Sequence, residues 1–436
     1  MEIAGGGAQG HARGGGVRLL VPLVVALFFA WGFATVLIDA LVPKLRGLFQ
    51  LTYLEAALTQ SCFFAAYFIV SLPAAALLSR IGYLKSVVVG LIVMAFGCLL
   101  FAPAAQIGVY ATFLVALFIM ASGITLLQVA ANPLMALLGR PETSHSRLTF
   151  AQFFNSLATF VGPFVGAAFI LREAGETPDP ATLSPEQLAA FRLEGAQHVQ
   201  GPFLAIATGL ILMAVLFWLL RKKATLPEAQ RAPGLGETFS LLKRPRLAFA
   251  VVSIFVYVGA EVAIGSFLTN YLAQPRVLGL SLDEAHKLIA YYWGGAMVGR
   301  FIGGFVLGRV APGKVLAFCA VMAGGLALVS AMTSGPVAAW TLIAVGLFNS
   351  IMFPTIFTLG IEGMEEKTPQ ASGLICMAIV GGAVIPPLTG WVADHVGLAL
   401  SLIVPAVCYL WIAFYGWSAR RAAAEAEAPV APPTGA

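Results

Sequence analysis

The chain has 436 residues, 59% of them hydrophobic and 10% charged, whereas an ordinary soluble domain carries roughly a quarter charged residues. That balance excludes a soluble fold and identifies a polytopic membrane protein. The net charge of +5 follows from how loops are shared between the two membrane faces, so no nucleic-acid partner is implied.

Twelve stretches of roughly 20 apolar residues begin near Val17, Thr52, Lys85, Ile107, Leu148, Gly201, Leu247, Glu284, Lys314, Val337, Ala371 and Leu398. The alternation of a transmembrane barrel is absent, so the expected fold class is all-α with twelve transmembrane helices. The first stretch is long and lacks a small-residue cleavage site at a sensible distance, which reads as a retained helix and not a signal peptide. Residues 1–16 and 420–436 are too poor in large apolar residues to pack and are expected to be disordered tails. A basic linker, 222–246, separates one six-helix bundle at 17–221 from a second at 247–419. With loops assigned alternately to the two faces, eighteen Lys or Arg lie on the side of both termini and six on the other. The positive-inside rule makes the termini and linker cytoplasmic.

The halves echo each other. Arg80 and Lys85 flank the turn after the second stretch as Arg309 and Lys314 flank the turn after the eighth, and Asn132-Pro133 has a counterpart in Phe353-Pro354. Such duplication points to a ligand near mid-membrane between two bundles. The long external loop, Arg172 to Gln200, holds five acids against two basic residues. Within it, Ser184-Pro185-Glu186-Gln187 has a serine cap, a first-turn proline and a glutamine able to reach back, so a short surface helix without chemistry is expected.

Four carboxamides interrupt otherwise apolar stretches: Gln128 and Asn132 in the fourth, Gln152 and Asn155 in the fifth. Hydrocarbon cannot satisfy their donors and acceptors, and spacings of four and three place each pair on one helical face. They read as a lining for a neutral, hydroxyl-rich ligand. Asn132, before Pro133, has a second reading as a stabiliser of the helix distortion.

Two acids lie within spans, Asp39 in the first and Glu261 in the seventh. A charge at the bilayer centre costs about 2.5 to 3.5 kcal/mol, and burial makes a carboxylate easier to protonate, so either could take a cation or proton. The competing reading is a permanent ion pair with Arg300, inside the eighth span. Tyr257 shares a face with Glu261, and Trp293 with Arg300; aromatic rings beside polar groups suit sugars. Asn349 and Phe353 repeat this pattern. The glycine pairs Gly294-Gly295, Gly303-Gly304 and Gly381-Gly382 read as close helix contacts.

Gly5-x-Gly7-x-x-Gly10 lacks a preceding strand, and Gly308 to Lys314 continues with Val315 where a phosphate loop requires Ser or Thr. The five cysteines, all within spans, and the five histidines show no metal-ligand spacing. No cofactor and no metal are implied, and no nucleophile or paired-acid constellation suggests an enzyme.

The stretches FFAWGFATVLIDALVPKL, LTYLEAALTQSCFFAAYFIVSLPA, ITLLQVAANPLMALLG and RLTFAQFFNSLATFVGP resemble the fucose:proton symporter family of the major facilitator superfamily, most like its bacterial glucose/galactose transporters. The resemblance runs from about Val21 to Trp417. It implies two six-helix bundles, alternating access and monosaccharide uptake driven by a cation, here most simply a proton, by a monomer in the bacterial cytoplasmic (inner) membrane. Asp39 matches the family's first-helix aspartate, linked to proton coupling; Gln152 and Asn155 match fifth-helix amides that contact sugar; Arg300 matches an eighth-helix arginine in the same GRF context.

Four departures qualify the likeness. The fucose branch has glutamate where this chain has Gln128, and lacks an acid at Glu261, which moves the search for a second proton carrier to Glu261. Ile38 replaces a frequent asparagine, weakening transfer of fucose specificity. Ser79 replaces the superfamily's acid after the second helix, so charge latching there would rest on Arg80 and Lys85 with other partners. The resulting expectation is a proton-coupled hexose importer. The alternatives are sodium coupling, fucose or N-acetylglucosamine as substrate and, further away, a drug exporter.

Overall fold

The computed structural model describes the backbone of residues 15–49, 53–107, 109–169, 184–222 and 234–427, and side chains across 19–36, 59–107, 109–162, 200–222 and 234–419 and at Ser184 and Gln187. The Gly5 motif, the side chain of Asp39, the loop up to 183 and the linker at 223–233 lie outside these residues, as do most of the terminal tails.

Every described element is helical. The first half contains α1 (Gly15–Phe49), α2 (Tyr53–Ile81), α3 (Tyr83–Ile107), α4 (Tyr110–Leu137), α5 (Ser144–Phe169) and α6 (Pro185–Leu220). The second contains α7 (Pro245–Leu272), α8 (Leu282–Val306) and α9 (Pro312–Met332), then α10 in two pieces, Gly335–Asn349 and Met352–Ile361. It closes with α11, also broken, Thr368–Met377 and Gly381–Val396, and α12 (Ile403–Glu427). Proline in the first turn starts α6, α7, α9, α10 and α11, where its missing N–H costs nothing. The α12 helix runs on to Glu427 because Ala and Glu at its end are strong helix formers.

Ten stretches among the described residues are long and apolar enough to cross a membrane. The remaining two helices, α5 and α8, have sufficient length, 26 and 25 residues, but are less apolar. One carries His145, Gln152 and Asn155, and the other Asp283, Glu284, Lys287 and Arg300. Polarity concentrates in the two helices that meet across the molecule's centre.

One expectation needs correction. The Ser184 cap forms as read, with its side chain accepting from the Gln187 backbone and Gln187 answering to the Ser184 N–H. The helix it starts is no separate surface helix: it continues unbroken to Leu220 over 36 residues. Nothing between 185 and 200 stops it, and Pro202 falls far enough in to be absorbed as a local distortion.

The packing repeats with a shift of six helices. In the first half α1 packs on α5, α2 on α4, and α3 on both α4 and α6; in the second α7 packs on α11, α8 on α10, and α9 on both α10 and α12. Between halves the main contacts are α5 with α8 and α2 with α11, which exchange under the same shift.

Those contacts hold the halves together at the linker end. The Ser146 hydroxyl donates to the Gly304 carbonyl, and His145 Nδ1 pairs with Thr358 Oγ1. Gln370 donates to Ser79 at 2.9 Å, and Ser372 donates to the Val129 carbonyl at 2.8 Å. Gly373 lets α11 approach closely: a Cβ there would sit 2.6 Å from Ala75 Cβ and 3.0 Å from the Ser71 carbonyl. Among the described residues no ion pair crosses between halves. The latch at Ser79 is therefore a neutral hydrogen bond to Gln370, without the charge latching expected of Arg80 and Lys85. No cross-half side-chain hydrogen bond is present at the opposite end among the described residues, so the molecule is shut on the linker side.

Candidate functional site

The four amides of the first half form a chain of bridges between helices. Asn155 on α5 donates to the Phe28 carbonyl on α1 at 3.1 Å, a contact for which Gly32 leaves room. Gln152, one turn earlier, turns to α4 and donates to Asn132 Oδ1 at 3.5 Å. Gln128, also on α4, donates to the Tyr67 hydroxyl on α2 at 2.7 Å. Asn132 is fully buried, and its Nδ2 has no hydrogen-bond partner. A buried amide donor without a partner costs about 1 to 3 kcal/mol, so this group awaits an acceptor.

Pro133 affects a different atom from the one its neighbour suggested. A proline has no N–H, so the carbonyl four residues earlier loses its helical donor. That carbonyl belongs to Val129, and Ser372 of the other half occupies it. Pro354 acts likewise in the second half. It frees the Ser350 carbonyl at the break in α10, and Arg300 Nε donates to that oxygen at 3.0 Å. The repeated proline thus supplies each half with a backbone acceptor inside the membrane. Gly299 permits the second contact, since a Cβ there would collide with the Leu347 carbonyl and with Ser350.

Glu261 on α7 lies in a cluster of phenols. The Tyr257 hydroxyl is 2.8 Å from Glu261 Oε1 and 3.2 Å from the Asn349 carbonyl. A phenol has one proton, so it can donate to only one of these. With an ionised Glu261 it donates to the carboxylate. With a protonated Glu261 the acid donates to Tyr257, and the phenol is free to donate to Asn349. The protonation state of Glu261 is thereby relayed to the break in α10. Asn349 Nδ2 donates to the Tyr292 hydroxyl at 2.8 Å, and that hydroxyl donates to the Glu261 carbonyl at 3.4 Å. Asn349 Oδ1 and the Tyr409 hydroxyl, both buried without a hydrogen-bond partner, complete the cluster.

Arg300 and Glu261 approach the same break in α10, Arg300 through the Ser350 carbonyl and Glu261 through Tyr257 and the Asn349 carbonyl, yet no ion pair joins them among the described residues. Besides the Ser350 carbonyl, its guanidinium donates to Ser156 Oγ on α5 of the opposite half. The reading of Arg300 as a permanent partner of Glu261 is therefore not what this state contains. Trp293 is 36% exposed, stacks edge-on against Tyr292 and packs over Gly265, apart from the Arg300 contacts. Asn349 is fully buried and faces protein. Asp39 lies on α1 by its backbone. Phe353, stacked on Phe357, stands beside the break. Of the glycine pairs, Gly303 lies against Ile351, Gly381 against the Phe255 carbonyl and Gly382 against the Phe64 ring, while Gly294 faces open space.

Tyr67, Ser156, Tyr292, Ser350 and Tyr409 were not singled out from sequence. Hydroxyls are common enough in spans to carry little signal. The proline rule would have found Ser350: a mid-span proline always releases the carbonyl four residues before it. Among the described residues no group of His, Cys, Asp and Glu could hold a metal.

Residues 23–379 match the Major Facilitator Superfamily profile. The chain is similar to a glucose/galactose transporter of Brucella abortus, 49% identical over 390 residues that cover 89% of this chain and 91% of that one. It is also similar to an L-fucose-proton symporter of Escherichia coli, 36% identical over 398 residues, 89% of this chain and 90% of the relative. Its fold superposes on the crystal structure of a major facilitator transporter, FucP, in the outward conformation. The TM-score is 0.85 at 34% identity, covering 93% of this chain and 99% of that one.

Proposed function

Because this chain belongs to the major facilitator superfamily, we propose that it imports a hexose, glucose or galactose, by symport with a proton. It is a multi-pass membrane transporter and not an enzyme. The observation that carries the proton reading is Glu261: a carboxylate within the membrane, hydrogen-bonded by Tyr257 and held by no ion pair among the described residues. Such a group can exchange a proton, since no permanent counter-charge fixes its state. The Brucella relative supports glucose or galactose as substrate, and the Escherichia coli relative supports the proton.

In this reading Gln152, Asn155, Gln128 and Asn132 contribute to the sugar site from the first half and Tyr257 and Trp293 from the second, with the buried Asn349 behind Tyr257 and Tyr292, and Asp39 acts with Glu261. The six-helix units are 17–221 and 247–419, with both termini and the linker cytoplasmic and the protein a monomer in a bacterial inner membrane. The shut linker side then corresponds to an outward-facing state, ready to load sugar. A ligand moves such an equilibrium only through its differential affinity for the two states, so sugar and proton together must bind the inward-closing form more tightly.

Uptake of radiolabelled glucose into proteoliposomes is expected to follow an imposed pH gradient and to be inhibited by galactose more strongly than by fucose. Accumulation that follows a sodium gradient alone would overturn proton coupling. For the sugar site, Gln152→Ala and Asn155→Ala are each expected to weaken binding by about 1 to 3 kcal/mol through unpaired hydroxyls. Calorimetry with unchanged affinity would remove that residue from the site.

A further inference from the structure

Arg300 is the one cation among the described cross-half contacts, and both groups that hold it belong to movable structure. Ser156 lies on α5 of the opposite half, and the Ser350 carbonyl lies at the α10 break, freed by Pro354. We infer that Ser156 and the Ser350 carbonyl are positioning groups that keep the Arg300 guanidinium off Glu261 while the linker side is shut. Opening that side delivers Arg300 to Glu261 and expels the acid's proton there. The inference rests on Glu261 as proton carrier and adds what times the release.

The physical reason is the cost of an unpartnered charge. When α5 and α8 separate at the linker end, Arg300 loses Ser156. A guanidinium left with only a neutral carbonyl in a low-dielectric site gains by finding an acid, and Glu261 is near: Tyr257 links it to the Asn349 carbonyl, next in the chain to the Ser350 carbonyl that Arg300 holds. The groups facing Glu261 from surrounding helices are Tyr257 on its own helix, Tyr292 and Arg300 on α8, and Tyr409 on α12. The neighbouring elements α10 and α11 add Asn349 beside Tyr257, and Gly381 and Ile385 against Gly259, none titratable. Among the described residues Arg300 is thus the only cation positioned to respond. Its arrival balances the step: the proton leaves a Glu261 oxygen for water on the linker side, and the carboxylate gains the guanidinium and the hydrogen bond donated by the Tyr257 hydroxyl. Tyr257 in turn gives up the Asn349 carbonyl, so the α10 break registers the release.

The test uses purified full-length protein in liposomes loaded with a pH-sensitive dye, measuring protons carried per glucose together with downhill glucose flux. In Ser156→Ala, Arg300 reaches Glu261 before the gate opens. Protons per glucose are expected to fall at least twofold while downhill flux stays within twofold of wild type. Ser156→Thr, which keeps the hydroxyl, restores the ratio. Pro354→Ala, which returns a helical N–H to the Ser350 carbonyl, lowers it by the second route and serves if Ser156→Ala does not fold. Added to Glu261→Gln, Ser156→Ala changes nothing further, because both act through one group. A wild-type ratio in both Ser156→Ala and Pro354→Ala, or a Ser156→Ala effect that adds to that of Glu261→Gln, overturns the inference alone. Normal accumulation by Glu261→Gln instead overturns the proton-carrier reading beneath it.

Discussion

Glu261→Gln vesicles are expected to lose concentrative glucose uptake while still exchanging internal for external glucose. The amide keeps the size of the acid and can hydrogen-bond Tyr257, so the α7, α8 and α10 cluster should stay assembled. What it lacks is a titrating proton. One elementary charge moved through 100 mV is worth about 2.3 kcal/mol, which sustains a sugar ratio of about 50-fold if each glucose travels with one proton. Without the proton that ratio falls to one. Exchange requires only that the loaded carrier reorient, and a neutral glutamine resembles the protonated acid in charge. Uptake in the variant that still reached the wild-type ratio would leave Asp39 as sole carrier. Asp39→Asn is expected to abolish accumulation equally, so the two substitutions together separate a shared proton path from a single-site one.

Much of this was legible from residue types because lipid is an unforgiving solvent. Eleven of the twelve helices start within five residues of the apolar boundaries, since apolar length and proline position are properties of the chain itself. The start of α6 was not, because an apolar window cannot see a capped polar helix that joins the span above it. At the site, Glu261 and Tyr257 were visible together, four residues apart on one helix. The neighbours of Arg300 were not: Ser156 is 144 positions away and comes into reach only when α5 and α8 pack, and the other acceptor is a backbone carbonyl, which every residue has. Asn132 illustrates the limit. Its place before proline suggested that it repaired the distortion, whereas its side chain bonds Gln152 and the freed carbonyl of Val129 is taken by Ser372. Nor could the loss of an acid at Ser79 reveal that Gln370 would replace an ion pair with a neutral bond.

That neutral latch makes the fit at Gly373 decisive for which side is shut. Gly373→Leu is expected to force the linker side open. Its side chain would have to occupy the place of Ala75 and the Ser71 carbonyl on α2, in the contact that also brings Gln370 to Ser79. Overpacking of this kind costs about 1 to 3 kcal/mol, and because only the closed-linker state contains the contact, the full cost falls on that state. The population ratio should shift by about 5- to 150-fold toward linker-side opening. A native reporter is in place. Cys376 is fully buried on the piece of α11 that packs against α2, and it should become reactive when α2 and α11 separate. In detergent, maleimide labelling of Cys376 is expected to accelerate strongly in Gly373→Leu. Cys98 and Cys319, buried within their own halves, should label as in wild type. Glucose uptake should fall as well, because the variant seldom returns to the state that loads. Equal labelling of Cys376 in both proteins, with uptake preserved, would mean that α2 and α11 do not form the linker-side gate. The neutral bond between Ser79 and Gln370 would then be incidental to the cycle.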